Sequence, residues 1–211
     1  ERAPKALQTV SPAVASLIAG ADAARLQADV EALALKDPAL GSVEGNLRSR
    51  FAVHPEFSES TEYIQSQLSA ALGAEAVELH SFSIGAQRVV SYASRRGNQA
   101  AAPVDTMTHN VIGTLVGTDP GAGYYIICAH YDATGVRSAG GWAWDSDPAP
   151  GADDNASGVA LVLESARLLA GQRFPWSIRF IAWSGEELGL LGPYSRACKT
   201  FNSTQFIFWT F

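Results

Sequence analysis

Two apolar runs separated by one amphipathic segment constrain this chain more than any other feature. Residues 124–129 (YYIICA) and 177–183 (SIRFIAW) are nearly continuous in apolar side chains. Strands buried on both faces read this way. Between them, residues 155–170 carry Val159, Leu161, Val162, Leu163, Leu168 and Leu169, a broad apolar side at helical spacing, and Gly171 ends the segment. Strand, helix, strand in that order predicts a crossover and parallel pairing. The fold class predicted is α/β, a mostly parallel central sheet flanked by helices in three layers.

The flanking chain is consistent with that core. Residues 22–36 and 58–72 have helical apolar spacing, the second with Ser58 as a candidate N-cap and Gly73 as its stop. Residues 77–84 and 88–93 read as two strands joined by a hairpin at 85–87. Residues 95–108 read as a polar loop, 111–116 as a strand and 133–152 as a long loop rich in Gly, Pro, Asp and Trp. Residues 1–21, rich in Ala and Pro, are predicted to be a weakly ordered lead-in or a pro-segment remnant. At 211 residues, 47% hydrophobic and 17% charged, the chain suits one domain with a sizeable core. A net charge of −6 excludes the basic face that nucleic acid demands. No apolar run is long enough to span a membrane. The first residue is Glu1, which implies a processed product or a fragment. Cys128 lies in an apolar run and reads as a buried structural thiol.

The polar residues gather where this topology would place them together. His130 and Asp132 follow the first apolar run, Glu186 and Glu187 follow the second, and Asp153 and Asp154 open the helix between. In open α/β sheets, ligands bind beyond the carboxyl ends of the strands. One imidazole with several carboxylates suits a divalent metal such as zinc. Asp132, two residues after His130, is placed to accept the second imidazole N–H. The adjacent glutamates can divide labour, one on metal and one on protons. Each feature also has a plainer meaning. Asp153 or Asp154 can serve only as an N-cap, and a Glu–Glu pair is usually solvated surface. The loop at 135–149, with Trp142, Trp144, Asp145 and Asp147, either lines a pocket or is a solvated excursion.

Four segments, NVIG at 110–113, AHYDA at 129–133, PGADDNASG at 150–158 and SGEELGLLG at 184–192, resemble the M28 metallopeptidases in order and spacing. The resemblance covers roughly residues 40–192. It implies two zinc ions. His130 would bind the first, Asp154 would bridge both and Glu187 would bind the second. Glu186 would be the general base, Asp132 the partner of His130, and Asp153 no ligand. The implied reaction is hydrolysis of a terminal peptide bond, with an aminopeptidase expected and a peptide as substrate. Export, to the periplasm or outside the cell, is the family habit.

The resemblance stops after Gly192. The family supplies two further ligands downstream, an Asp and a His, yet residues 188–211 contain no Asp, Glu or His. Each metal would then keep two protein ligands, below the three of a catalytic zinc site. This predicts weak zinc binding and little activity, with a peptidase domain at 22–192 incomplete at its C-terminus. The tail at 193–211 is atypical. Its QFIFWTF ending reads as a short buried strand or an aggregation-prone segment. Two alternatives follow: a single-zinc acyltransferase like glutaminyl cyclase, or a non-catalytic receptor-like domain.

Overall fold

The protein is described by a computed structural model over residues 11–41, 45–95, 105–119, 121–135, 142–194 and 206–209. In chain order the elements are α1 (Pro12–Ala19), α2 (Ala23–Ala34), α3 (Phe57–Leu72), β1 (Val77–Ile84), α4 (Ala86–Arg95), β2 (Thr106–Leu115), β3 (Tyr124–His130), α5 (Ser157–Leu169), β4 (Ser177–Trp183), α6 (Leu191–Tyr194) and β5 (Phe206–Trp209). Short 3₁₀ turns at Pro38–Leu40 and Ala74–Ala76 and a π turn at Ala152–Ala156 complete them.

The predicted crossover is present. β3 and β4 pair in parallel from Tyr124↔Ser177 to His130↔Trp183, and α5 connects them. The sheet order is β1-β2-β4-β3-β5. β3 also pairs in parallel with β5, so residues of the aromatic tail join the sheet as a strand. β1–β2 and β2–β4 are antiparallel, which makes the whole sheet mixed. Side chains alternate between its faces. Val111, Ala129, Phe180 and Ala182 belong to one core with Leu33, Ile64, Leu68, Val159 and Leu163 of α2, α3 and α5. Ile112, Ile126, Cys128, Ile181 and Trp183 form a second cluster. Cys128 is fully buried, and burial pushes its thiol up to about 11, as fits an inert structural cysteine.

Four expectations are corrected. Residues 88–93 are not a strand; they lie in α4, and no hairpin forms at 85–87. Asp105 Oδ1 accepts the Ala86 N–H at 2.8 Å at the start of this helix. Val89 and Tyr92, three apart, face the core, with Tyr92 stacked on Phe51. A helical stripe so short resembles a β run when read linearly. The partner of β1 is instead β2, which begins at Thr106, inside the predicted loop, because Ile84↔Thr106 and Ser83↔Met107 extend the pairing. Ser58 is not the cap of α3. The cap position is Glu56, and the Ser58 hydroxyl donates to Pro55 O at 3.4 Å. Residues 12–19 of the lead-in form α1, capped by Ser11 Oγ, although no side chain of that helix is buried. Residues 1–10 lie outside the described residues. No described helix is long and apolar enough to cross a membrane.

Candidate metal centre

The parallel register sets the ends of β3 and β4 level, so the residues that follow them meet. Tyr131 N–H donates to Trp183 O at 2.8 Å, continuing the ladder past His130. Asp132 is fully buried, and its two carboxylate oxygens accept the main-chain N–H of Glu186 and Glu187 at 3.0 and 3.1 Å. A single carboxylate thereby fixes the turn that carries both glutamates. Burial raises Asp132 to about 7, against the pull of His130 and the two N–H donors.

His130 is 8% exposed. Its Nδ1 lies 3.0 Å from the main-chain oxygen of Asp132 and 3.7 Å from Asp132 Oδ1. The expected His–Asp partnership is therefore corrected in its atoms. The carboxylate is committed to the glutamate turn, and the Asp132 carbonyl takes the imidazole N–H instead. A carbonyl oxygen can only accept, so that bond puts a proton on Nδ1 and leaves Nε2 for Asp154. Nε2 lies 3.0 Å from Asp154 Oδ1. A nitrogen lone pair and an anionic oxygen repel at that distance unless a cation, proton or metal, sits between them.

Asp154 arrives by a separate route. It sits in the π turn before α5, with φ −112° and ψ 94° outside the helical range. Neither Asp153 nor Asp154 caps the helix. Asn155 does so, accepting the Gly158 N–H on Oδ1 at 2.9 Å. Asp154 is thus free of the plainer role, and its side chain is 72% exposed at the site. Asp153 is exposed, with its carbonyl accepting from Ser157 Oγ. Burial and the neighbouring charge of Asp154 hold the Glu187 carboxyl above its ordinary value. Thr134 Oγ1 donates to Glu187 Oε1 at 3.1 Å. Glu186 is half-buried beside it.

The donor set fits zinc in chemistry: one imidazole nitrogen facing a carboxylate at 3.0 Å, with a second carboxylate on the neighbouring strand end. Zinc would be held by His130, Asp154 and Glu187. Among the described residues, however, no three His, Cys, Asp or Glu side chains are already gathered tightly enough to enclose an ion.

Two supports escaped the reading of the sequence. Asn110 Oδ1 accepts the Ser184 N–H at 3.0 Å while its Nδ2 donates to Gly192 O at 3.3 Å, pinning both ends of the glutamate loop. Its place in the NVIG segment was visible, but its partners lie more than seventy positions away. Arg50 is fully buried, with no local pattern to mark it. The aromatic loop residues serve the core. Trp142 is 3% exposed and packs edge-on against Phe51, with Trp144 beside that ring. Asp145 and Asp147 instead line a cavity of about 470 Å³ with Lys36, His54 and Glu56. Residues 136–141 lie outside the described residues.

A profile of "Peptidase family M28" matches residues 110–206, a stretch containing every proposed metal and catalytic residue. Over that stretch, just under half of its length, the chain is similar to peptidase family M28. A "Probable zinc metalloprotease" of Pyrenophora teres f. teres is 42% identical over 95 residues, 45% of this chain and 19% of the relative. "Aminopeptidase YwaD" of Bacillus subtilis is 54% identical over 50 residues, 23% of this chain and 11% of the relative. The match thus spans at most about a fifth of these relatives. Among solved structures, the aminopeptidase from Aneurinibacillus sp. strain AM-1 superposes with TM-score 0.58 at 16% identity, over 87% of this chain and 67% of its own. The glutaminyl cyclase of Fimbriiglobus ruber superposes with TM-score 0.53 at 17% identity, over 78% and 44%. At such identities the structural likeness establishes the fold.

Proposed function

We propose that this chain carries the catalytic edge of a zinc exopeptidase that releases the N-terminal residue of a peptide. The observation that carries the reading is His130 Nε2 facing Asp154 Oδ1 at 3.0 Å, with burial and the charge of Asp154 holding the Glu187 carboxyl above its ordinary value. His130 and Asp154 hold one zinc, and Asp154 and Glu187 hold a second. Bound zinc supplies Lewis acidity, which acidifies water and polarises the scissile carbonyl. Glu186 takes the proton of the attacking water and passes it to the leaving amine. Asp132 touches no substrate in this scheme. It aligns Glu186 and Glu187 through their main-chain N–H groups. Export to the periplasm or medium is part of the proposal, on family habit.

The fold likeness to a glutaminyl cyclase keeps one rival reading open, a single-zinc acyl transfer. The ADDNASG segment, in which the family resemblance makes Asp154 the shared carboxylate, favours two metals and hydrolysis. A scaffold without catalysis would have no use for Glu186.

The test measures zinc bound per chain, residue release from a chromogenic amino-acid amide, and cyclisation of an N-terminal glutaminyl peptide. Zinc binding with amide cleavage supports the proposal. Cyclisation alone establishes the rival, and neither zinc nor turnover sinks the enzyme reading for this polypeptide. In a form with measurable turnover, Glu186→Gln lowers kcat by about 10²–10⁴. Near-normal turnover would remove Glu186 from the proton step.

A further inference from the structure

We propose that Arg50 is the built-in counter-ion of the metal centre and a positioning residue for it. Its buried guanidinium offsets the carboxylates of Asp132, Asp154 and Glu187 and clamps the turn that presents Asp154. The functional meaning rests on the zinc reading above; the charge pairing does not.

Three hydrogen bonds place Arg50 between the two segments that deliver the site. The Ala133 N–H, one residue past Asp132, donates to Arg50 O at 2.9 Å. The Arg50 N–H donates to Ala149 O at 2.9 Å. Arg50 Nη2 donates to Gly151 O at 2.8 Å, three residues before Asp154. Gly151 has φ +50°, and a Cβ there would stand 2.4 Å from Ala133 Cβ and 2.8 Å from Arg50 Nη2. The turn therefore lies directly on the guanidinium, and only glycine leaves it room.

The charge is the second part. Arg50 is 0% exposed, yet Nε and Nη1 have no hydrogen-bond partner among the described residues. A buried charge is costly unless something offsets it. Burial draws the guanidinium down to about 10, so it remains ionised at neutral pH. The acids whose fields support it are Asp132, Asp154 and Glu187, while Arg48 opposes. These are the carboxylates of the candidate metal centre. The Asp154 side chain is largely open to solvent, whereas Arg50 is fully buried. In the metal-free chain its charge limits the mutual repulsion of carboxylates that have no ion to share.

A double-mutant cycle on the chelator-treated, metal-free chain tests this. The cycle compares R50M in the native background and in a D154N/E187Q background, by thermal unfolding. If Arg50 is the counter-ion, R50M lowers Tm more in the native background, by a difference of about 2–4 °C or more. R50K, which keeps the charge, stays close to the native chain. An equal drop in both backgrounds would overturn the proposal and leave Arg50 as packing. Should R50M fail to fold, R50Q completes the same cycle, since its amide still reaches for Gly151 O without a charge. A separate arm adds zinc to the native chain and to H130A. Absence of a zinc-induced Tm rise in the native chain would sink the metal reading, and the cycle's result for Arg50 would still stand.

Discussion

Asp132 shows how one side chain can matter without touching a substrate. Both its oxygens are spent on the Glu186 and Glu187 N–H groups, and its carbonyl holds His130 Nδ1. Asp132→Asn preserves shape but turns one acceptor into an NH₂ that faces an N–H. The main-chain N–H and the new amide N–H are then both without an acceptor, and each such buried donor costs about 1–3 kcal/mol. The variant is expected to unfold at correspondingly lower urea. Hydrogen exchange at Glu186 and Glu187 should quicken, while a distant amide such as Leu163 in α5 follows only the global change. Unchanged stability would show that the turn is held by other means. On the proposed mechanism, turnover should fall through kcat, because Asp132 would align Glu186 and Glu187 without binding substrate.

At the scale of elements, the segment from β4 to α6 is a loop pinned twice by one residue of β2. Asn110 holds Ser184 N at one end and Gly192 O at the other, so the glutamates hang from a closed bracket. The bracket closes because position 192 has no side chain. A Cβ there would lie 2.2 Å from Ser184 O and 2.5 Å from Asn110 Oδ1. Gly192→Ala therefore wedges against backbone, with a cost of about 1–3 kcal/mol for overpacking. Faster amide exchange across residues 184–192, with β1 unaffected, is the result that supports the bracket. These supports show where legibility ends. β3, α5 and β4 were readable because each carries its own periodicity, and the shared sheet edge of His130, Asp154, Glu186 and Glu187 was readable because strand and helix ends converge. Asp132 was readable as a site residue, but the atoms it uses were not. Asn110 and Arg50 act across distances that no local pattern encodes. α4 was misread because two buried residues three apart, Val89 and Tyr92, make too short a stripe to distinguish from a strand.

On the scale of the whole molecule, the helices that back the sheet are tied by charge as well as by apolar packing. Arg167 of α5 pairs with Asp29 of α2 at 2.6 and 3.0 Å and also reaches Gln67 of α3. Tyr63 of α3 donates to the same Asp29 at 2.7 Å. Glu164, 2% exposed, receives Arg25 on both oxygens at 2.6 and 3.0 Å and the Asp22 N–H at 2.9 Å. The Arg25 hydrogen bond, with smaller help from Asp22 N–H and Arg167, holds the Glu164 carboxyl below its ordinary 4.5, although burial pulls the other way. A carboxylate depressed in the folded state stabilises that state fully above its unfolded value. Its contribution is lost as pH falls below about 4.5 and through the lower folded value. Glu164→Gln should therefore lower Tm at pH 7. The gap between variant and native chain should stay constant down to about pH 5 and then close towards pH 3 as the native carboxylate protonates. Because Arg25 is half exposed, added salt should narrow the gap at pH 7 as well. Thermal melts across that range check the prediction. A gap that persisted unchanged at pH 3 would show that the glutamate contributes through shape and hydrogen bonding alone, and that the acid limb of this fold is set elsewhere.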